Sequence, residues 1–168
     1  MSIKSFLCIV STVFLLVTNT SASASARRVP IIKFGTLDSL MYLHNDTTYV
    51  FNFWATWCQP CVAEFPSFQR LQSAYGTSKL KVIFVSLDYR KSVKSVALFL
   101  DRYKVNEAVY LLDETDYNSW IDRIDSTWDG NLPATIILNN VRNFRAFYPH
   151  DFSYDALVDV VKPAIPLQ

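Results

Sequence analysis

Val50-Phe51-Asn52-Phe53-Trp54-Ala55-Thr56-Trp57-Cys58-Gln59-Pro60-Cys61-Val62-Ala63-Glu64-Phe65-Pro66 is the stretch whose reading decides the fold. Thr48–Phe53 is rich in β-branched and aromatic residues and reads as a buried strand. Pro60 sits where a helix begins, since its missing N–H costs nothing there. The helix runs to about Tyr75, and Gly76 stops it. The two cysteines therefore fall at a strand-to-helix junction. A helix N-terminus presents unpaired N–H groups and the positive end of its dipole. A thiolate on Cys58 is stabilised there, below the free thiol value of ~8.5. Cys58 is expected at the exposed tip, with Cys61 one turn in and shielded. Such a pair exchanges disulfides: Cys58 attacks a partner disulfide, and Cys61 resolves the mixed disulfide.

Two other uses of this spacing fit less well. A structural bridge closing so small a loop restricts the unfolded chain little. A zinc site needs two further ligands. Outside the N-terminal segment, only His44 and His150 remain, far apart and not in ligand spacing. No metal is expected, and neither histidine is assigned a role.

Working outward, Ile31–Phe34 reads as a short edge strand. Thr36–Asn45 reads as a helix with Leu37, Leu40, Met41 and His44 on one face. Leu80–Leu87 is a second buried strand. Ser92–Tyr103 is a helix whose inward stripe is Val93, Val96, Ala97 and Leu100. Val109–Leu112 is a strand and Tyr117–Ile124 a short amphipathic helix. Ala134–Leu138 is a strand, turned by Asn139-Asn140 into a hairpin with Arg142–Tyr148. Tyr154–Val161 closes the chain as a helix. The aromatics Phe99, Tyr103, Tyr110, Tyr117 and Trp120 are expected in the core. Strands alternating with helices and a final hairpin make an α/β three-layer fold with a central mixed sheet.

The 168 residues suffice for one ordinary domain, and 51% of them are hydrophobic. Residues 1–26 stand apart. Lys4 is their only charge, Phe6–Val17 is apolar, and Ala24-Ser25-Ala26 offers a cleavage site. That is the layout of a signal peptide. The alternative is an uncleaved anchor, but the apolar run is short for a span of ~20 residues. Cleavage near Ala26 removes Lys4 and Cys8. It leaves 15 basic against 15 acidic residues and two cysteines, Cys58 and Cys61. Residues 27–168 are then the folded domain. The formal charge of +1 on the whole chain, with no long basic run, gives no footprint for nucleic acid.

The string Phe53-Trp54-Ala55-Thr56-Trp57-Cys58-Gln59-Pro60-Cys61, continued by Glu64-Phe65-Pro66, closely resembles the active-site signature of the thioredoxin superfamily. It is most similar to the TlpA/ResA branch of exported thiol–disulfide oxidoreductases, many of them reductants in cytochrome c maturation. The resemblance covers Ile31 to about Val161 and is specific around residues 50–66. It implies a thioredoxin fold with an added strand–helix insertion between Cys61 and Pro133, shaping the partner surface.

The resemblance also assigns roles. Cys58 matches the attacking cysteine and Cys61 the resolving one. Trp57 matches the tryptophan flanking the site, a role that packing could equally explain. Gln59 and Pro60, between the cysteines, match the residues that help set redox potential. Leu132-Pro133-Ala134-Thr135 resembles the loop carrying a cis-proline opposite the cysteines. There Leu132 presents its backbone to a substrate docked as an added strand. An ordinary trans proline at a strand start is the alternative. Thioredoxin has a buried aspartate six positions before its first cysteine. This chain has Asn52, which cannot take a proton. Glu64, one turn past Cys61, matches the branch's glutamate; partly buried, it would exchange protons with Cys61.

The expectation is a periplasmic enzyme reducing disulfides in partner proteins, with no cofactor. It would act as a monomer and be recharged by an upstream membrane thiol donor. A net oxidant or isomerase, or a binding module whose cysteines never cycle, is the alternative. A peroxidase of the peroxiredoxin type needs threonine three before its cysteine, whereas Thr56 is two before Cys58. A related copper chaperone would need C-x-x-x-C.

Overall fold

The computed structural model describes residues 27–77 and 79–165. The expected signal segment, residues 1–26, lies outside them. The order is β1 (Ile31–Ile32), α1 (Phe34–Met41), β2 (Thr48–Trp54), α2 (Gln59–Tyr75), β3 (Leu80–Ser86), α3 (Val93–Arg102), β4 (Ala108–Leu112), α4 (Ile121–Ile124), β5 (Ala134–Asn139), β6 (Phe144–Tyr148) and α5 (Tyr154–Val161). The six strands form one sheet in the order β1-β4-β3-β2-β5-β6. The first four in that order pair in parallel. β5 and β6 join antiparallel. The sheet is mixed, as the alternation of elements implied.

Alternating side chains of the strands feed two cores. Val50 and Trp54 of β2, Val82 and Phe84 of β3 and Ile137 of β5 meet α2, α3 and α5 on one face. Phe51, Phe53, Ile83, Val85, Ile136 and Leu138 meet α1, Trp120, Ile124 and Trp128 on the other. These are the three layers. The central strand β2 is buried along its whole length, as a strand covered on both faces must be. Beneath its end, Trp54 sits edge-on to Phe65, and Phe65 stacks on Phe84 with ring centroids 4.3 Å apart.

Several boundaries differ from the sequence reading. The first strand ends at Ile32, and Phe34 already belongs to α1. That helix stops at Met41, so His44 lies beyond it and is exposed. Residues 117–124 are a single 3-10 turn followed by four helical residues. Trp120 is buried between the two as an anchor, and no continuous stripe requires a longer helix. Of the aromatics expected in the core, Trp120 is buried, Phe99 and Tyr110 are half-buried, and Tyr103 and Tyr117 are exposed. The hairpin between β5 and β6 turns over residues 140–143, with Asn143 at φ 51°. Asparagine tolerates that left-handed setting.

Gly76 does end α2, but by a different means from a left-handed cap: its φ is −61°. A Cβ there would lie 2.3 Å from Gln72 Nε2 and 2.5 Å from the Gln72 carbonyl. The lack of a side chain lets Gln72 fold back and accept the Val82 N–H through Oε1 at 2.7 Å.

Candidate active site

Cys58 is the N-cap of α2 and Cys61 lies in its first turn. The two are joined as a disulfide, their Cα atoms 5.3 Å apart. The Cys61 N–H donates to Cys58 Sγ at 3.3 Å, so a helix-terminal donor aims at the sulfur that would carry charge. Pro60, second in the helix, withdraws no needed donor. Cys58 is only 6% exposed and Cys61 is fully buried. The expected exposed tip is therefore a narrow opening. Its rim is Trp57, 67% exposed, a surface aromatic and not a packed one. Gln59 and Pro60 are also exposed.

Pro133 follows a cis peptide bond from Leu132. It leads into β5, whose Ala134 pairs with Phe53 and Thr135 with Asn52 of β2. Leu132 is half-buried and Pro133 buried. The C-terminal end of β2 and the start of β5 thus bring residues 132–135 and the start of α2 to the same end of the sheet.

Glu64 is 3% exposed. Asn52 Nδ2 donates to its Oε1 at 2.8 Å, and the Phe152 N–H donates to its Oε2 at 2.9 Å. Burial pushes the carboxyl up from 4.5 to about 7, the two hydrogen bonds hold it down, and the nearby Asp151 charge raises it. Glu64 is therefore a buried acid poised near neutral pH, the range in which a proton carrier works best. Asn52, read from sequence as a position that had lost its proton acceptor, is the group that holds this one.

The sequence reading passed over Asp88. It is 4% exposed and accepts the Thr56 N–H at 3.0 Å, the Thr56 hydroxyl at 2.6 Å and the Ser86 hydroxyl at 2.8 Å. It ties the segment before Cys58 to the end of β3. Thr56 spends its hydroxyl there and not on the cysteine. The signal was available: a polar Ser-x-Asp directly after a buried parallel strand, where open α/β sheets gather their sites. His150, given no role from the sequence, is exposed and lies beside the rings of Tyr148 and Phe152. Among the described residues, no group of three or more His, Cys, Asp or Glu side chains could hold a metal.

A six-stranded mixed sheet with a cysteine pair heading α2, and a cis-proline loop at the same end of the sheet, defines a thioredoxin-like redox protein. The profile of the AhpC/TSA family matches residues 32–146, and the chain belongs to that family. Among curated proteins, it is 41% identical over 69 residues to the thioredoxin-like protein YneN of Bacillus subtilis, covering 40% of this chain and 39% of that one. To the thiol-disulfide oxidoreductase ResA of Oceanobacillus iheyensis it is 46% identical over 52 residues, 31% of this chain and 26% of that one. The chain spans less than half the length of these relatives. A thioredoxin-related protein from Neisseria meningitidis superposes with a TM-score of 0.63 at 23% identity, over 74% of this chain and 89% of that one. StoA of Bacillus subtilis gives 0.53 at 19%, over 68% and 82%. At such identities the likeness is one of fold.

Proposed function

We propose that the chain reduces disulfides in partner proteins outside the cytoplasm, in the periplasm, with cytochrome c maturation among its uses. The observation that carries this reading is a closed Cys58–Cys61 pair at the head of α2 with the buried acid Glu64 one turn behind it. The exchange chemistry is supported by relatives named thiol-disulfide oxidoreductases, and one solved neighbour is described as a secreted disulfide oxidoreductase of Mycobacterium tuberculosis. The signal-like residues 1–26 support export.

In the reduced protein, Cys58 as thiolate attacks one sulfur of the client disulfide. The client S–S bond breaks, a mixed disulfide forms, and the second client sulfur leaves as thiolate, taking a proton from solvent. Cys61 gives its proton to the Glu64 carboxylate and attacks Cys58 Sγ. The remaining client thiolate departs and collects the proton that Glu64 holds. Two electrons pass to the client, which gains two thiols, and the protein is left in the disulfide state described above. A membrane thiol donor returns two electrons and two protons. Trp57 and the Leu132–Pro133 loop hold the client, the backbone of Leu132 pairing with an extended segment.

The test is trapping. Cys61→Ala removes the resolving sulfur, so Cys58 should remain bonded to its client in cells, and mass spectrometry names that client. Capture of nothing, while the wild type stays fully reduced, would refute the client-reductase reading. If the wild-type pair is held as disulfide in cells and passes it to reduced clients, the direction is the reverse, that of an oxidant. An insulin-reduction assay with dithiothreitol separates an enzyme from a binding module: wild type no faster than Cys58→Ser means that the pair does not cycle.

A further inference from the structure

Asn52 presents one end of its amide and leaves the other unused. Its Nδ2 donates to Glu64 Oε1 at 2.8 Å and to Thr135 Oγ1 at 3.2 Å. Its Oδ1 is buried with no hydrogen-bond partner. A buried polar atom without a partner is rare in a folded protein. This one belongs to a side chain touching the only acid that the proposed cycle uses.

The bonds around Glu64 suit only its ionised form. Both groups that meet the carboxylate, the Asn52 amide and the Phe152 N–H, are donors. Once protonated, Glu64 becomes a donor itself and needs an acceptor. The Phe152 N–H cannot accept. Asn52 can, by turning its amide about the terminal side-chain bond, which places Oδ1 where Nδ2 now stands. There Oδ1 would accept from the Glu64 carboxylic acid and from the Thr135 hydroxyl together. Nδ2 would take the place that holds no partner now. Either setting leaves one end of the amide unpaired, so neither is locked.

We propose that Asn52 is a positioning residue that reorients with the proton on Glu64, donating to the carboxylate and accepting from the acid. The turn lets one buried site hold Glu64 in both states and keeps proton exchange with Cys61 open in either direction. An aspartate at this position would set two acids side by side, and an aliphatic residue would serve neither state. This inference rests on Glu64 carrying protons in the proposed cycle.

The charged group set against Glu64 is Asp151, on the loop before α5; on its own helix only the reduced protein adds ionisable groups, the thiols of Cys58 and Cys61. β2 and β5 offer only the neutral Asn52 and Thr135. His150 adjoins Asp151 and could be mistaken for the titrating group, so the measurement is repeated in a His150→Gln background.

The test is nuclear magnetic resonance on the full folded protein, oxidised and reduced. The Asn52 side-chain amide should shift with the same midpoint as the Glu64 carboxyl carbon. Its contacts to Thr135 should be strong above that midpoint and at least halved below it. Contacts that persist unchanged across the titration overturn the proposal. Kinetics give a second readout: Asn52→Asp should move the midpoint of the pH–rate profile for disulfide reduction by at least one pH unit, while the folded spectrum is retained. A profile identical to wild type also overturns it. Glu64→Gln keeps the two ideas apart. If that variant exchanges at the wild-type rate, the proton-carrier reading fails; if it is slow while the Asn52 contacts never change, only the turning amide fails.

Discussion

Replacing Glu64 by glutamine should change how the stability of this protein depends on pH, with a sign and a size that the structure sets. The side chain is 3% exposed, and burial raises its pKa from 4.5 to about 7. The folded state therefore holds a proton that the unfolded state gives up between those two values. Where the native state binds more protons than the unfolded one, stability falls as pH rises. The contribution of Glu64 is fully present below about pH 4.5 and is lost as pH climbs through about 7. A shift of about 2.5 units corresponds to roughly 3 kcal/mol. Glutamine cannot ionise, so Glu64→Gln removes this slope. Urea titrations of the oxidised protein at pH 4.5, 6, 7 and 8 read it out. The two proteins should be of similar stability at pH 4.5, and the variant should gain relative to wild type by roughly 3 kcal/mol at pH 8. The variant should also exchange disulfides more slowly and lose the inflection near pH 7 in its rate profile. Curves that stay parallel from pH 4.5 to 8 would show that Glu64 is ordinarily acidic and refute the reasoning.

Other changes should separate structural from client-binding roles. Asp88→Ala removes a buried carboxylate that accepts three hydrogen bonds, leaving the Thr56 and Ser86 donors without it, and should destabilise the protein by about 3 kcal/mol, measured by chemical denaturation. Trp57→Ala removes an exposed ring, so stability should stay within ~0.5 kcal/mol while KM for a protein client rises and kcat for a small disulfide is kept. Gly76→Ala forces a Cβ against Gln72 and should cost about 1–3 kcal/mol in the same denaturation assay. A thermal shift equal to that of a surface Gly→Ala control would reject the close approach.

The strand-to-helix turn at Cys58 was legible because its signals agree over a short window: a β-branched and aromatic run, a proline at a helix start, and a cysteine pair one turn apart. The two cores followed from the same alternation, since Phe51 and Phe53 face one layer and Val50 and Trp54 the other. What escaped depends on distant partners. Asn52 looked like a lost acid because its meaning lies in Glu64, Thr135 and the loop before α5. Asp88 carries no motif of its own, and its three partners identify it. The exposure of Cys58 was overestimated because a helix tip says nothing about the loops that crowd it. The segment around Trp120 misled because one large buried ring can anchor four helical residues that periodicity would extend to eight.

The Glu64 carboxylate is gripped by a residue 12 positions earlier and by a backbone amide 88 positions later. During synthesis or translocation, the cysteines and the acid arrive well before the amide that completes the grip. Long-range closures of this kind form late. A partly emerged chain would thus carry two ordinary cysteines and a solvated glutamate of normal acidity. Full reactivity would begin only when the segment carrying Phe152 docks against Glu64.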